Sequence, residues 1–442
     1  MNSTKVICYH DVERFLASVK EFDVSENPFL SYAFLSVYLK FYGKGNFYFY
    51  DIVENAKVIG IIPFECTFES LLLHIKKFRF IGYRNFNYEQ YICYDKNMEN
   101  VHNIFISYLE QQNYSVVLNI YDINSASPFE KILDRSNRWH KKLELYSCPC
   151  LHFQSNFEEF FKTVYTSSKK RAELKKFQRR VAELGDFKIV NVENRKGFED
   201  NIRYIDQIYK VHSERFAGVY ATSFFGSEKM RPYYSELIKC LIYDEKAHIS
   251  LLILDNVVIA FIFCLTNGKV LIDWIPAFDP AFSRYSLGIV QYKMLFEEIC
   301  NQGKYKLFDY SKGSSVYKRK WAKEETYNYQ YILNLGAKNP ISWLCYFYDV
   351  IKFTTKVFLR NKGVLSIIKH KLGEFLSYIH RDNKKGSSFS VKTIDSCNST
   401  MYNFNYSELS TYPVEYREVV LSAIYQGKKV VSVSRGEIVL SN

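Results

Sequence analysis

Residues 269–321 read KVLIDWIPAFDPAFSRYSLGIVQYKMLFEEICNQGKYKLFDYSKGSSVYKRKW. Val270–Phe278 is apolar and aromatic enough for a strand, and Asp279-Pro280 ends it. Ser283–Gly288 then supplies small residues, and helical spacing begins near Leu287. A second strand is expected at Tyr305–Tyr310. A strand handing over to a helix through small residues leaves the first N–H groups bare at the positive end of the helix dipole. Such a turn suits a phosphate or pyrophosphate.

The same order of elements occurs earlier in the chain. Phe47–Val53 and Lys57–Glu65 read as strands joined by Glu54-Asn55-Ala56. His248–Leu254 and Val257–Leu265 repeat this around Asp255-Asn256. Asn267-Gly268 is a two-residue hairpin signal into a third strand. Lys77–Tyr83 parallels Lys269–Ile275, Glu99–Gln112 parallels the helix Leu287–Asn301, and Tyr114–Tyr121 parallels Tyr305–Tyr310. Two runs of hairpin, strand, helix and strand in register point to a duplication. The segment between them, Phe157–Arg215, is expected to be mostly helical.

A chain of 442 residues has room for two or three domains, and 48% apolar against 24% charged residues is a core-forming composition. The net charge of +12 favours anionic partners: nucleotide-containing cofactors, nucleic acid, anionic lipid or acidic glycans. Ten scattered cysteines, several inside apolar runs, read as free thiols of a reducing compartment. Cys148-Pro149-Cys150-Leu151-His152 has the look of half a metal site, but no second Cys/His pair stands at ligand spacing, so no metal is expected. No signal-peptide core and no uncharged stretch of membrane-spanning length is present, so the expected location is the cytoplasm.

Ser283–Gln291, SRYSLGIVQ, resembles the acyl-CoA pyrophosphate loop of the GNAT N-acetyltransferases, Gln/Arg-x-x-Gly-x-Gly/Ala. Gly288 falls on the second glycine, while Ser283 and Ser286 depart from the pattern at the first position and the first glycine. The wider chain adds Asn27-Pro28-Phe29-Leu30-Ser31, Gly60-Ile61-Ile62-Pro63, Phe80-Ile81-Gly82-Tyr83 and Ala277-Phe278-Asp279-Pro280. Asp309-Tyr310-Ser311-Lys312-Gly313, Tyr317-Lys318 and Trp321 follow. This order is similar to duplicated GNAT proteins of cellulose and exopolysaccharide biosynthesis, related in fold to the FemAB aminoacyl transferases.

The resemblance implies an α/β fold of the α+β type: two tandem GNAT-like modules with mixed, mainly antiparallel sheets flanked by helices, plus a C-terminal helical extension. The expected divisions are an N-terminal module (1–150), structural or acceptor-binding, and a C-terminal module (151–338) with the acyl-CoA site. A basic amphipathic segment (339–380) and a linker with a small α/β appendage of unassigned role (381–442) complete the chain. The implied co-substrate is acetyl-CoA or another acyl-CoA, held by Ser283, Arg284, Tyr285, Ser286, Leu287 and Gly288. The implied acceptor is an amine or hydroxyl of a saccharide or of its lipid- or nucleotide-linked precursor. At the equivalent turn the first copy has Asp95 and Glu99 and no glycine, and a carboxylate there competes with phosphate.

Acyl transfer uses a base for the nucleophile and an acid for the departing thiolate. Tyr317 stands where many GNAT enzymes place the acid, and its alternative is ring packing. Asp309 and Asp279, each at a strand end, are base candidates or ordinary turn and cap residues. His212 and His248 are further candidates for a base, or packing residues. Arg171, Trp274, Lys312 and Lys318 are candidates for acceptor binding.

Ser167–Leu184 is a helix with a strongly basic face, which is either solvated or set against anionic groups. It is the feature that favours an aminoacyl-tRNA donor as the alternative. A non-catalytic scaffold of polysaccharide synthesis is the other alternative. Ile341–Ile379 reads as a basic, aromatic, amphipathic helix pair, suited to an anionic membrane surface or to packing on the second module. Arg381–Ser399 reads as a linker. A helix at Val414–Tyr425 and a hairpin around Arg435-Gly436 follow, too small to stand alone and expected to dock on the body.

Overall fold

The computed structural model describes residues 4–22, 27–82, 86–136, 140–217, 225–313, 315–335, 339–364, 390–394, 405–434 and 437–441. The chain opens with β1 (Thr4–Tyr9), α1 (Val12–Phe22) and α2 (Tyr32–Tyr42), then the hairpin β2 (Phe47–Glu54) and β3 (Lys57–Ser70). Next come β4 (Ile75–Phe80), α3 (Met98–Glu110), β5 (Ser115–Asn124), α4 (Pro128–Asp134) and β6 (His140–His152). Two helices, α5 (Phe157–Val164) and α6 (Ser168–Ala182), precede β7 (Phe187–Val192). Three more follow: α7 (Arg195–Ile205), α8 (Ile208–Phe216) and α9 (Arg231–Tyr243). The second hairpin is β8 (Ala247–Leu254) and β9 (Val257–Asn267), continued by β10 (Val270–Phe278), α10 (Leu287–Gln302) and β11 (Leu307–Asp309). After these stand α11 (Val316–Trp321), β12 (Glu324–Leu335) and α12 (Pro340–Asn361). The appendage has β13 (Ser390–Ile394), a helical turn at Tyr406–Leu409, α13 (Val414–Tyr425), β14 (Lys429–Ser434) and β15 (Glu437–Ser441).

The duplication is present, and its turns are alike. Asn55 and Ala56 have φ of 49° and 62°, Asp255 and Asn256 of 49° and 63°. Both pairs make the left-handed two-residue turn whose twist matches a hairpin. Edge strands that the sequence pattern did not announce complete both copies: β1 pairs antiparallel with β2, and β7 with β8. β7 interrupts the stretch expected to be helical. Its half-buried side chains do not alternate, so no period marked it.

The chain divides into two compact units, residues 1–150 with 309–365 and residues 151–308 with 366–442. Residues 309–338 thus group with the first unit, where the sequence reading put them in the second. The reason is β12, which pairs antiparallel with both β5 and β6. In the first unit the strand order is β1-β2-β3-β4-β5-β12-β6, and the β4–β5 pair is parallel. One core, under α3 and α4, gathers Tyr50, Phe64, Phe78, Phe105, Leu118 and Phe129. Another sets Tyr346 and Phe353 of α12 on Ile75, Val117, Leu143 and Ile332.

In the second unit the order is β11-β10-β9-β8-β7. The expected linker contains a strand, β13, which runs parallel to β15 while β14 runs antiparallel to it. The expected hairpin is therefore formed, its turn at 435–436 lying outside the described residues. The appendage docks as expected: Tyr406, Tyr416, Val420 and Leu421 share a core with Phe282, Tyr285 and Leu287. Of the expected helix pair at 341–379, the first helix is α12, and residues 365–379 lie outside the described residues. Among the described residues no helix is long and apolar enough to cross a membrane.

Candidate functional site

Two neighbourhoods, one in each unit, hold the residues singled out from the sequence. In the second unit β10 slips register against β9 between Asp273 and Ile275, so Trp274 sits in a bulge. Its ring packs 5.3 Å from that of Phe263. Asp279 then opens a 3-10 turn, Pro280–Tyr285, its Oδ1 accepting the N–H of Ala281 at 3.0 Å. Ser286, at φ 52°, swings the chain into α10. No side chain caps α10 and no acid stands in its first turn, so no carboxylate of that turn answers its dipole. A Cβ on Gly288 would lie 3.1 Å from the partly buried Phe278 ring, which would have to yield by a few tenths of an ångström.

The six loop residues divide by exposure. Ser283 and Arg284 are exposed, and Ser286 and Gly288 are half-buried. Tyr285 and Leu287 point into the core, where the Tyr285 hydroxyl donates to the Leu421 carbonyl at 3.0 Å. These two hold the loop and do not face outward. Arg284 borders a cleft of about 430 Å³ whose other wall includes Glu415, Glu418, Ser422 and Lys428.

Asp279 is not placed as a base. Its Oδ2 accepts from the Tyr406 hydroxyl and from Arg417 Nη1, and all three residues are buried. Arg417 Nη2 also meets Glu214 Oε2 at 2.5 Å. Burial pulls the guanidinium pKa down, but Tyr406, Asp279 and Glu214 outweigh it and the net shift is upward. The carboxylate is thus spent on a cap and an ion pair. Arg171 is likewise spent: its Nη1 donates to the carbonyls of Tyr165 and, at 2.8 Å, of Thr166, closing the end of α5. On α6, Lys175 pairs with Glu158 at 2.9 Å, and Arg180 lies 4.1 Å over the Tyr425 ring. His212 is packed among Phe216 and Phe225, and burial pushes it down to about 4, so it is neutral near pH 7. His248 is buried with Nδ1 3.2 Å from Glu193.

The first unit brings Asp309, Lys312, Tyr317 and Lys318 into one cluster with residues the sequence reading passed over. Asp309 Oδ2 accepts from the Tyr88 hydroxyl at 2.6 Å, and Oδ1 from the N–H of Ser311 at 2.7 Å. Ser311 Oγ in turn accepts from Asn87 at 2.8 Å. Lys318 Nζ donates to the carbonyls of Tyr310, at 2.5 Å, and Lys312, at 2.9 Å, which shapes the 310–312 turn. Lys312 Nζ stands 2.5 Å from Asp122 Oδ2, while Tyr146 and Asn328 both donate to Asp122 Oδ1. Asp122 is fully buried at φ 68°, in a bulge where two residues of β5 face Gln330. Glu89 is buried nearby in this network, Oε2 accepting the N–H of Tyr121 at 2.7 Å. The ring of Tyr317 meets that of Tyr310 edge-on at 6.5 Å.

Burial raises the pKa of two carboxyls here, Asp309 and Glu89. Asp309 is pushed up to about 6, against the pull of the Tyr88 hydroxyl, the Ser311 N–H and Lys318, with Asp122 adding to the rise. Glu89 is driven well above the carboxylate range by burial and by Asp122. A carboxyl raised to about 6 can change charge close to neutrality, as a general base must. One signal could have found Asp122: it follows an aromatic residue late in an apolar strand, as Asp309 follows Phe308. Tyr88 and Glu89 lie in an irregular loop, where no period marks a residue.

Residues 168–319 match the acetyltransferase (GNAT) domain family. No curated protein matches the chain. Several solved structures resemble it at low identity. FemX is 11% identical over 77% of this chain and 100% of its own, with a TM-score of 0.47. The C-terminal domain of a putative lysylphosphatidylglycerol synthetase from Agrobacterium fabrum is 11% identical over 76% of this chain and 96% of its own, at 0.45. A tandem GNAT protein from the clavulanic acid pathway is 6% identical over 76% of this chain and 99% of its own, at 0.39. The matched stretch, similar to the acetyltransferase (GNAT) domain family, takes in the β10 bulge, the start of α10, Asp309 and Tyr317.

Proposed function

We propose that the chain transfers an acyl group from acyl-CoA to an amine or hydroxyl of a saccharide or of its lipid- or nucleotide-linked precursor. The observation that carries this reading is the uncapped, acid-free start of α10 inside the GNAT-matching stretch. The leading N–H groups of that helix, with Arg284, would hold the pyrophosphate. An N–H of the β10 bulge would steady the thioester carbonyl as it gains charge. The nucleophile adds to that carbonyl and gives its proton to a base, for which Asp309 is the sequence candidate. The carbon–sulfur bond then breaks and the thiolate takes up a proton, for which Tyr317 is the sequence candidate. Lys312 holds the Asp122 side of the network in register. The saccharide class of the acceptor rests on the sequence resemblance.

Calorimetric titration with acetyl-CoA and CoA tests the donor. Micromolar binding that Arg284→Glu weakens, at an exposed position where folding is not at stake, supports the reading. No heat at millimolar CoA removes it. The exposed Lys169, Lys170 and Lys176 of α6 favour a second reading, an aminoacyl-tRNA donor. Tight, salt-sensitive tRNA binding without CoA binding would select that one.

A further inference from the structure

A helix on a protein surface needs one apolar face, and α12 has two. Ser342, Tyr346, Asp349 and Phe353 make the buried face, laid on the first unit's sheet. Leu344, Phe347, Tyr348, Ile351 and Phe358 recur at spacings of three, four and seven on the other side, each between 51% and 69% exposed. At 3.6 residues per turn they fall within an arc of about 100°. A second apolar stripe of this size, opposite the packed one, marks a surface made to be covered.

The β3–β4 hairpin adds to it. Leu71 and Leu72 at its tip are 82% and 89% exposed. The tip is tied to the start of α12, since Asn339 Nδ2 donates to the Leu73 carbonyl at 2.8 Å. Leu73 and Trp343 pack against the same small core.

Charge decides what covers the stripe. Exposed Lys352 and Lys356 flank it on the helix, and Lys362 follows at its end. The one acid of α12, Asp349, is buried and paired with Lys77 at 2.8 Å. At the hairpin Glu69 is matched by Lys76 at 2.9 Å. A second copy docking on this face would set lysines near lysines, with no acid of α12 to answer them. An anionic lipid surface takes both features: the stripe enters the acyl boundary, and the lysine stems run along it with their heads among the phosphates.

We propose that the exposed face of α12 and the Leu71–Leu72 tip together seat the first unit on an anionic membrane surface. This does not rest on the acyl-transfer reading. The test is co-sedimentation of the intact chain with phosphatidylcholine vesicles, with and without phosphatidylglycerol. Binding is expected only with phosphatidylglycerol, and it falls as salt rises. Ile351→Gln with Phe358→Gln should weaken it at least about tenfold, from the lost apolar burial. Lys352→Gln with Lys356→Gln should weaken it about thirtyfold, at about 1 kcal/mol per lysine. All four positions are exposed, so the variants keep the fold. Absence of vesicle binding overturns the proposal. So does binding that these variants leave unchanged, or a dimer that the Gln variants dissociate in place of vesicle binding.

Discussion

The starts of α3 and α10 are the same construction with opposite electrostatics. Each helix follows a hairpin and a third strand, each is entered through a short 3-10 turn, and neither is capped by a side chain. They differ at the second residue, Glu99 in α3 and Gly288 in α10, and at the turn, where α3 has Asp95. In the first copy carboxylates answer the helix dipole from within the chain. In the second, no acid stands in the first turn of the helix. The two copies keep the scaffold, while Asp95 and Glu99 put carboxylates at one helix start and the other first turn has none.

The comparison can be broken most severely at the strand that follows α10. If Asp309 is the base, Asp309→Asn lowers kcat/KM by about 10²–10⁴-fold. Wild-type activity should rise with pH through about 6, because the base works deprotonated, and the variant should lose that limb. Stability should show the opposite sign. The folded carboxyl holds its proton more tightly than the unfolded one, so its favourable contribution exists at low pH and is lost as pH climbs from the ordinary carboxylate value towards 6. Urea titrations above pH 6 should therefore find the Asn variant no less stable than wild type. A marked loss would make Asp309 a structural residue.

Next comes the brace that only the second copy has. Arg417→Met strands a buried Asp279 and should cost about 3–5 kcal/mol in urea unfolding. Adding Asp279→Asn should return part of it. A cost under about 1 kcal/mol would mean that the pair is solvated.

A smaller change converts one helix start into the other. Gly288→Glu copies Glu99 into α10 and should weaken CoA at least about tenfold by titration, in a variant whose circular dichroism is unchanged. The reverse exchange, Glu99→Gln, should leave CoA affinity as it was and lower stability by less than about 1 kcal/mol. A change in CoA affinity there would assign the donor to the wrong copy.

Local patterns made the repeat legible. The turns at Asn55-Ala56 and Asp255-Asn256 and the period of the two helices are properties of a few adjacent residues. What escaped depends on distant ones. Asp279 reads as a free strand-end aspartate until Arg417, 138 positions on, is laid against it. Asp309 reads the same way, but its distant partner is the Tyr88 hydroxyl, 221 positions back, and not an arginine. β12 carried its strand pattern openly, yet which strands it joins is a matter of register with β5 and β6 that no local period encodes. Edge strands β1 and β7 are half-solvated, so their hydrophobic signal was faint.

The Asp279–Arg417 pair also sets an order of events during synthesis. The turn carrying Arg284 is translated well before residues 405–425, and until these emerge it lacks both its ion pair and the Tyr285 hydrogen bond. A nascent chain, or one clipped ahead of Tyr406, would carry that turn without its clasp. That turn is therefore finished only by residues made more than a hundred positions later.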